Sequence, residues 1–205
     1  MNPLKSVSGT IIAGIVLAVV IALATMGVAF NLLSFIVWIH VLAGITWIGL
    51  LYYFNFVQVP ALGEAAADEG GPGGAGITKD VAPRALWWFR WGAALTWVSG
   101  AVALWRLNIL HDAFTLGMLG DTMNYSAMII GVGAWLGTIM LFNVWVLIWP
   151  NQKKVLGMVE ASADQIAKAK NTALLASRTN TLLSIPMLMS MVGYGHGGFF
   201  ISPTV

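Results

Sequence analysis

From Thr10 to Val57 the chain is apolar almost without a break, interrupted by little except Asn31, Ser34 and His40. As one helix this run would reach about 70 Å, twice the thickness of a bilayer core. It therefore divides into two membrane spans, with a turn expected near Phe30–Asn31. Composition extends the argument to the whole chain. Hydrophobic residues make up 59% of the 205 and charged residues only 9%, against roughly 25% charged in a soluble domain. A soluble chain this short cannot hide so much apolar surface in one core, so lipid must cover the rest.

Three further spans complete an all-α integral membrane protein, a single domain over 1–205 with about five transmembrane helices. The expected spans are about 9–30, 32–57, 83–106, 125–149 and 179–200. The first reads as a retained anchor, its apolar stretch being longer than that of a signal peptide. The second is expected to end before Pro60. The Gly-rich segment 61–80 reads as a flexible loop, and Asp80 as a cap for the helix that begins at Pro83. The segment from His111 to Asn124 is polar enough for the interface. Gly133 and Gly137 form a small-xxx-small pair suited to close helix contact. Residues Gln152 to Arg178 are amphipathic and read as a helix outside the hydrocarbon that runs into the fifth span, where Pro186 is a candidate kink.

Basic residues set the orientation. With the N-terminus in the cytoplasm, Lys5, Lys79, Arg84, Arg90, Lys153, Lys154, Lys168, Lys170 and Arg178 all belong to inner segments. Only Arg106 falls outside, so the positive-inside rule gives N-in, C-out. A formal charge of +2 gives no reason to expect a nucleic-acid partner. The chain has no cysteine, which leaves no thiolate for an iron–sulfur cluster or for covalent c-type haem.

Ionisable residues within a membrane span are functional candidates by default. His40 in the second span and His196 near the end of the fifth are both expected in the outer half of the membrane. Two histidines on facing helices can hold a b-type haem, with Gly44, one turn after His40, leaving room for a porphyrin. Loop His111 is the alternative ligand. Met187, Met189 and Met191 read as packing. The plain alternative is that His40 hydrogen-bonds a neighbouring helix and His196 sits among headgroups. A second polar group lies on the inner side: Asn55, Gln58, Arg84, Arg90, Arg178, Thr179 and Asn180. It suits an anion, a lipid phosphate or a quinone headgroup, or else ordinary interfacial anchoring beside Trp87, Trp88 and Trp91.

Four stretches, His40–Gln58, Ala82–Gly92, Asn143–Lys153 and Ala176–Met187, resemble the membrane domain of bacterial cytochrome-c-linked urate oxidases. The resemblance implies a multi-pass protein of the bacterial inner membrane, an oxidoreductase scaffold in which His40, Asn55, Arg90, Arg178, Asn180 and His196 are motif positions. In that family the membrane domain is joined to a C-terminal c-type cytochrome, and the assembly is associated with oxidising urate to 5-hydroxyisourate. This chain departs from the pattern in lacking the cytochrome module and in having fewer expected spans.

Three functional classes follow. The first is a b-haem electron-transfer protein that passes electrons to a periplasmic cytochrome c. The second is a non-catalytic subunit or assembly factor of a larger respiratory or photosynthetic complex, or a homo-oligomer. A small-solute transporter comes third, disfavoured because no inverted repeat is visible.

Overall fold

A computed structural model describes residues 2–25, 27 and 29–197. Most of these residues are helical, with no strand among them, and they form two compact units, Met1–Leu32 and Leu33–Val205.

The first unit is helix α1, Val7–Thr25, introduced by a 3-10 turn at Pro3–Lys5 on which the Asn2 side chain accepts from the Leu4 amide. Its sequence is Ala, Val, Ile and Leu on every face, the pattern of a helix made for lipid rather than for a half-wet surface. It stops at Thr25, short of the expected residue 30. Gly27 takes φ +88, a left-handed conformation that glycine adopts without steric cost and that a helix cannot continue through.

The second unit contains α2 (Leu32–Ala67), α3 (Ala82–Arg106), the short α4 (Leu110–Phe114), α5 (Tyr125–Val155) and α6 (Ala163–His196). Its core is built from Trp47 and Leu51 of α2, Phe89 of α3 and Met140 and Val144 of α5, all nearly fully buried. Two glycines set how closely the helices approach. A Cβ on Gly92 would lie 3.3 Å from the Trp47 amide nitrogen, so α3 rests on the α2 backbone. One on Gly133 would lie 2.8 Å from Ser190 Oγ, so α5 and α6 meet there, while the Cβ position on Gly137 meets nothing within 4 Å. The expected small-residue pair is thus a contact at one member only.

Pro60 and Pro150, which follow the expected ends of the second and fourth spans, lie inside α2 and α5, whereas Pro83 stands in the first turn of α3, where that helix is expected to begin. Each stands two residues beyond a π-helical stretch: Phe54–Gln58, Ile77–Val81 and Asn143–Ile148. Val59, Ala82 and Trp149 accordingly donate to carbonyls five residues back, those of Phe54, Ile77 and Val144. In an α-helix the pyrrolidine ring strikes the carbonyl at i−4. The wider π turn displaces that carbonyl, and the helix passes the proline. Helical structure therefore covers 61–67 of the expected loop, and Asp80 sits within a π turn rather than capping a helix.

The amphipathic stretch from Gln152 to Arg178 is also not one helix. Gly157, at φ +68, ends α5 with Met158 N–H donating to Lys153 O and Gly157 N–H to Lys154 O, the Schellman arrangement. Ser162 and Gln165 then start α6 with a reciprocal capping box. As expected, α6 continues without a break into the last span, with Pro186 inside it; residues 198–200 of the expected last span lie outside the described residues.

Of these helices, α1, α2 and α5 are long and apolar enough to cross a membrane. α3 carries Arg84, Arg90 and Arg106 among five tryptophans, and α6 opens with a polar half.

Candidate functional site

The π stretches of α2 and α5 share a layer with the middle of α6, and Asn55, Gln58 and Asn180 of the inner group lie there. Asn180 is fully buried. Its Oδ1 accepts from Asn143 Nδ2 at 2.8 Å, and its Nδ2 donates to the Met140 carbonyl at 3.0 Å. Nearby, Asn55 Nδ2 donates to Ser177 Oγ at 2.8 Å, and Tyr52 Oη and Ser184 Oγ share a hydrogen bond of 2.9 Å. These bonds tie α2 and α5 to α6. Each contributes about 1 kcal/mol net, and losing one partner costs about 1–3 kcal/mol through the group left behind. Asn180 is thus a joint of the scaffold, its amide fully engaged.

Arg90 is different. It is 9% exposed, and its guanidinium carbon lies 3.3 Å from the centre of the Trp149 ring and 5.9 Å from that of Trp145. Its Nε and Nη1 are buried and have no hydrogen-bond partner. Nor do the surrounding helices supply an acid: no Asp or Glu occurs in 32–63, 81–111, 122–159 or 165–205. A guanidinium stacked on indole is partly compensated by cation–π attraction, but its N–H edge still lacks an acceptor. That edge is a planar donor array suited to a carboxylate, phosphate or oxoanion. The π turn at Asn143–Ile148 leads directly into Trp149, so the local widening of α5 sets the position of the stacking ring. Arg178 and Arg84 are exposed and do not join Arg90.

His40 is half-buried, and its Nδ1 donates to the Thr96 carbonyl of α3 at 2.8 Å. This leaves Nε2 as the bare nitrogen, the tautomer that metal-ligating histidines use. His196 is exposed and bonds within its own helix, Nδ1 to Val192 O at 3.2 Å, with Nε2 again left over. The donor chemistry of both thus fits iron ligation. The described contacts do not bring the two together, however: His40 packs on α3, while His196 bonds only to α6. The gap expected at Gly44 faces the Thr96 methyl at 3.8 Å, and the gap at Gly100 is filled by the His40 imidazole itself. His111 is exposed on α4. Among the described residues no cluster of three or more His, Cys, Asp or Glu is placed to hold a metal ion.

Below this layer α2, α3, α5 and α6 enclose a cavity of about 510 Å³. Gln58, at the close of the π turn in the second half of α2, lines it. The sequence places Gln58 at the end of a span and in the inner polar group suited to an anion, a lipid phosphate or a quinone headgroup; in the structure it closes the π turn that precedes Pro60.

No curated protein and no solved structure matches the chain. Residues 113–203 match the family model described as urate oxidase N-terminal. The matched part holds α5 and α6, and with them Asn143, Trp149, Arg178, Asn180 and His196, while His40, Asn55 and Arg90 precede it. This match supports a urate oxidase N-terminal-like family for the chain.

Proposed function

We propose that this chain is the membrane-embedded part of a urate-oxidase-like redox system, binding an organic anion at Arg90 and delivering electrons to a periplasmic c-type cytochrome. The observation that carries the reading is the buried, acid-free guanidinium of Arg90 with two unpartnered N–H groups beside Trp149. An anion seated there neutralises the charge and satisfies the donors; the urate-oxidase match makes urate the first anion to test. Conversion of urate to 5-hydroxyisourate adds one water oxygen and releases two electrons and two protons. A membrane protein suits an acceptor on the far side. The proposed topology has five spans in the bacterial inner membrane, N-in and C-out, from the nine-to-one distribution of basic residues.

A b-type haem belongs to the same proposal, with His40 Nε2 as its first ligand and His196 as the second; when bound it would supply a one-electron relay. The Thr96 carbonyl orients the His40 ring for this and keeps Nε2 bare. A competing reading, a non-catalytic subunit, draws on the way the His40 imidazole fills the gap at Gly100, as a packing histidine would.

Membranes holding the full chain, given urate and a soluble c-type cytochrome, should reduce the cytochrome in proportion to urate consumed. The purified protein should show a reducible b-type spectrum that is altered in His40→Ala. A colourless, iron-free protein with no urate-dependent reduction would instead establish the non-catalytic subunit.

A further inference from the structure

The cavity between α2, α3, α5 and α6 has a chemistry opposite to that of Arg90. Its lining positions on α2, namely Phe54, Gln58, Leu62 and Ala66, are four residues apart and form a stripe about 18 Å long. At one end Phe54 and Phe89 meet edge to face, ring centres 5.4 Å apart. Along its walls the fully buried polar atom without a partner is an acceptor, and the amide N–H groups of Gln58 and Gln152 likewise have no partner among the described groups. Gln58 is 8% exposed, and its Oε1 is buried with no donor. Beside it Ser177 Oγ accepts from Asn55 Nδ2 and donates to none of the described groups. The one cation in the lining, Lys170, is exposed.

A free anion would be poorly held here, because the apolar walls desolvate it and offer no buried countercharge. A neutral ring bearing an O–H meets every feature. Its hydroxyl donates to Gln58 Oε1, its face or edge packs on Phe54 and Phe89, and an apolar tail follows Leu62 and Ala66. We propose that this cavity binds the head of a hydroquinone-class amphiphile, a neutral, lipid-soluble ligand held separately from an organic anion at Arg90, which does not line the cavity. The volume suits a headgroup with part of its tail; ligand pockets run to about 300–1,000 Å³.

The test uses the full chain in phosphatidylcholine nanodiscs and two probes, a decyl-substituted benzohydroquinone and its bis-methyl ether, which differ only in the O–H. Calorimetric titration should give about tenfold tighter binding of the hydroquinone, since the ether leaves the buried acceptor unpaired. Gln58→Leu should abolish that preference. Gly63→Trp, which fills the cavity and leaves Gln58 in place, should weaken both probes. Equal affinity of wild type for the two probes would overturn the proposal and leave a cavity filled by lipid acyl chains only. A hydroquinone preference that survives Gln58→Leu, or affinities unchanged by Gly63→Trp, would overturn it as well.

Discussion

The two ends of α2 each place a polar side chain in an apolar setting, and they treat it differently. At the first end His40 donates to the Thr96 carbonyl, and its ring occupies the space that Gly100 vacates. At the other end, around the π turn Phe54–Gln58, Gln58 Oε1 and Asn55 Oδ1 are buried with no donor, as is the Arg90 N–H edge across the bundle with no acceptor. Burying a polar atom without a partner costs a few kcal/mol, and folded chains avoid it unless something else supplies the partner. The comparison separates polar residues that hold the bundle together from those that await a ligand. By that criterion the proposed site belongs near the π turns, where Asn55, Gln58 and Arg90 carry such atoms; Trp47 Nε1, within the core, is a further one, and His40 belongs first to the helix contact.

Substitutions can break this comparison from the scaffold side. Asn180→Ala should have the largest effect on stability. It strips the partner from Asn143 Nδ2, removes one of the donors to the Met140 carbonyl and opens a hole at a fully buried position, for a loss of about 2–4 kcal/mol in unfolding measured in detergent. An unchanged midpoint would mean that the amide pair is not the joint described here. Gly100→Ala comes next. Its Cβ would lie 2.8 Å from His40 Cε1, and forcing the ring aside should cost about 1–3 kcal/mol. Smallest is Gly137→Ala, where nothing lies within 4 Å of the new methyl. Helix propensity should then raise stability by about 0.5–1 kcal/mol. Should the two glycine substitutions behave alike, the His40 packing contact would be wrong.

Sidedness sharpens the comparison further, because it fixes which leaflet holds the π-turn layer. Cysteines introduced at Gly73 and at Gly120 lie before and after α3 and should label from opposite faces of the membrane. Labelling from one face would remove the proposed crossing of α3 and return the site to the membrane surface.

Much of the helical content was legible, since long apolar runs and amphipathic periodicity leave little choice of secondary structure. The ends of helices were less so. Pro60 and Pro150 carry the signature of a stop, yet the register shift that lets a helix pass them comes from backbone geometry over the preceding turn, which composition does not display. The break at Gly157 was readable in principle, because a glycine after Lys153 and Lys154 is an ordinary helix end; the apolar positions on either side hid it. For the site, sequence supplied the residue types but not their partners. Arg90 and Arg178 look equivalent as guanidinium groups at inner span ends, and only packing distinguishes the buried one on Trp149 from the exposed one. Asn55 and Asn180 were likewise grouped, although both amide atoms of Asn180 are hydrogen-bonded while Asn55 leaves its Oδ1 without a partner.

That separation of the two arginines gives the most direct test. Urate should be titrated calorimetrically against wild type, Arg90→Gln and Arg178→Gln, each confirmed as folded by its unfolding midpoint. Removing the donor array at Arg90 should weaken urate about 10–100-fold, the range of a charge-assisted hydrogen-bond pair. Arg178→Gln should bind within about twofold of wild type, as an exposed, screened charge contributes little. Equal losses in the two variants, or full affinity in Arg90→Gln, would contradict the assignment of the anion site to the unpaired guanidinium beside Trp149.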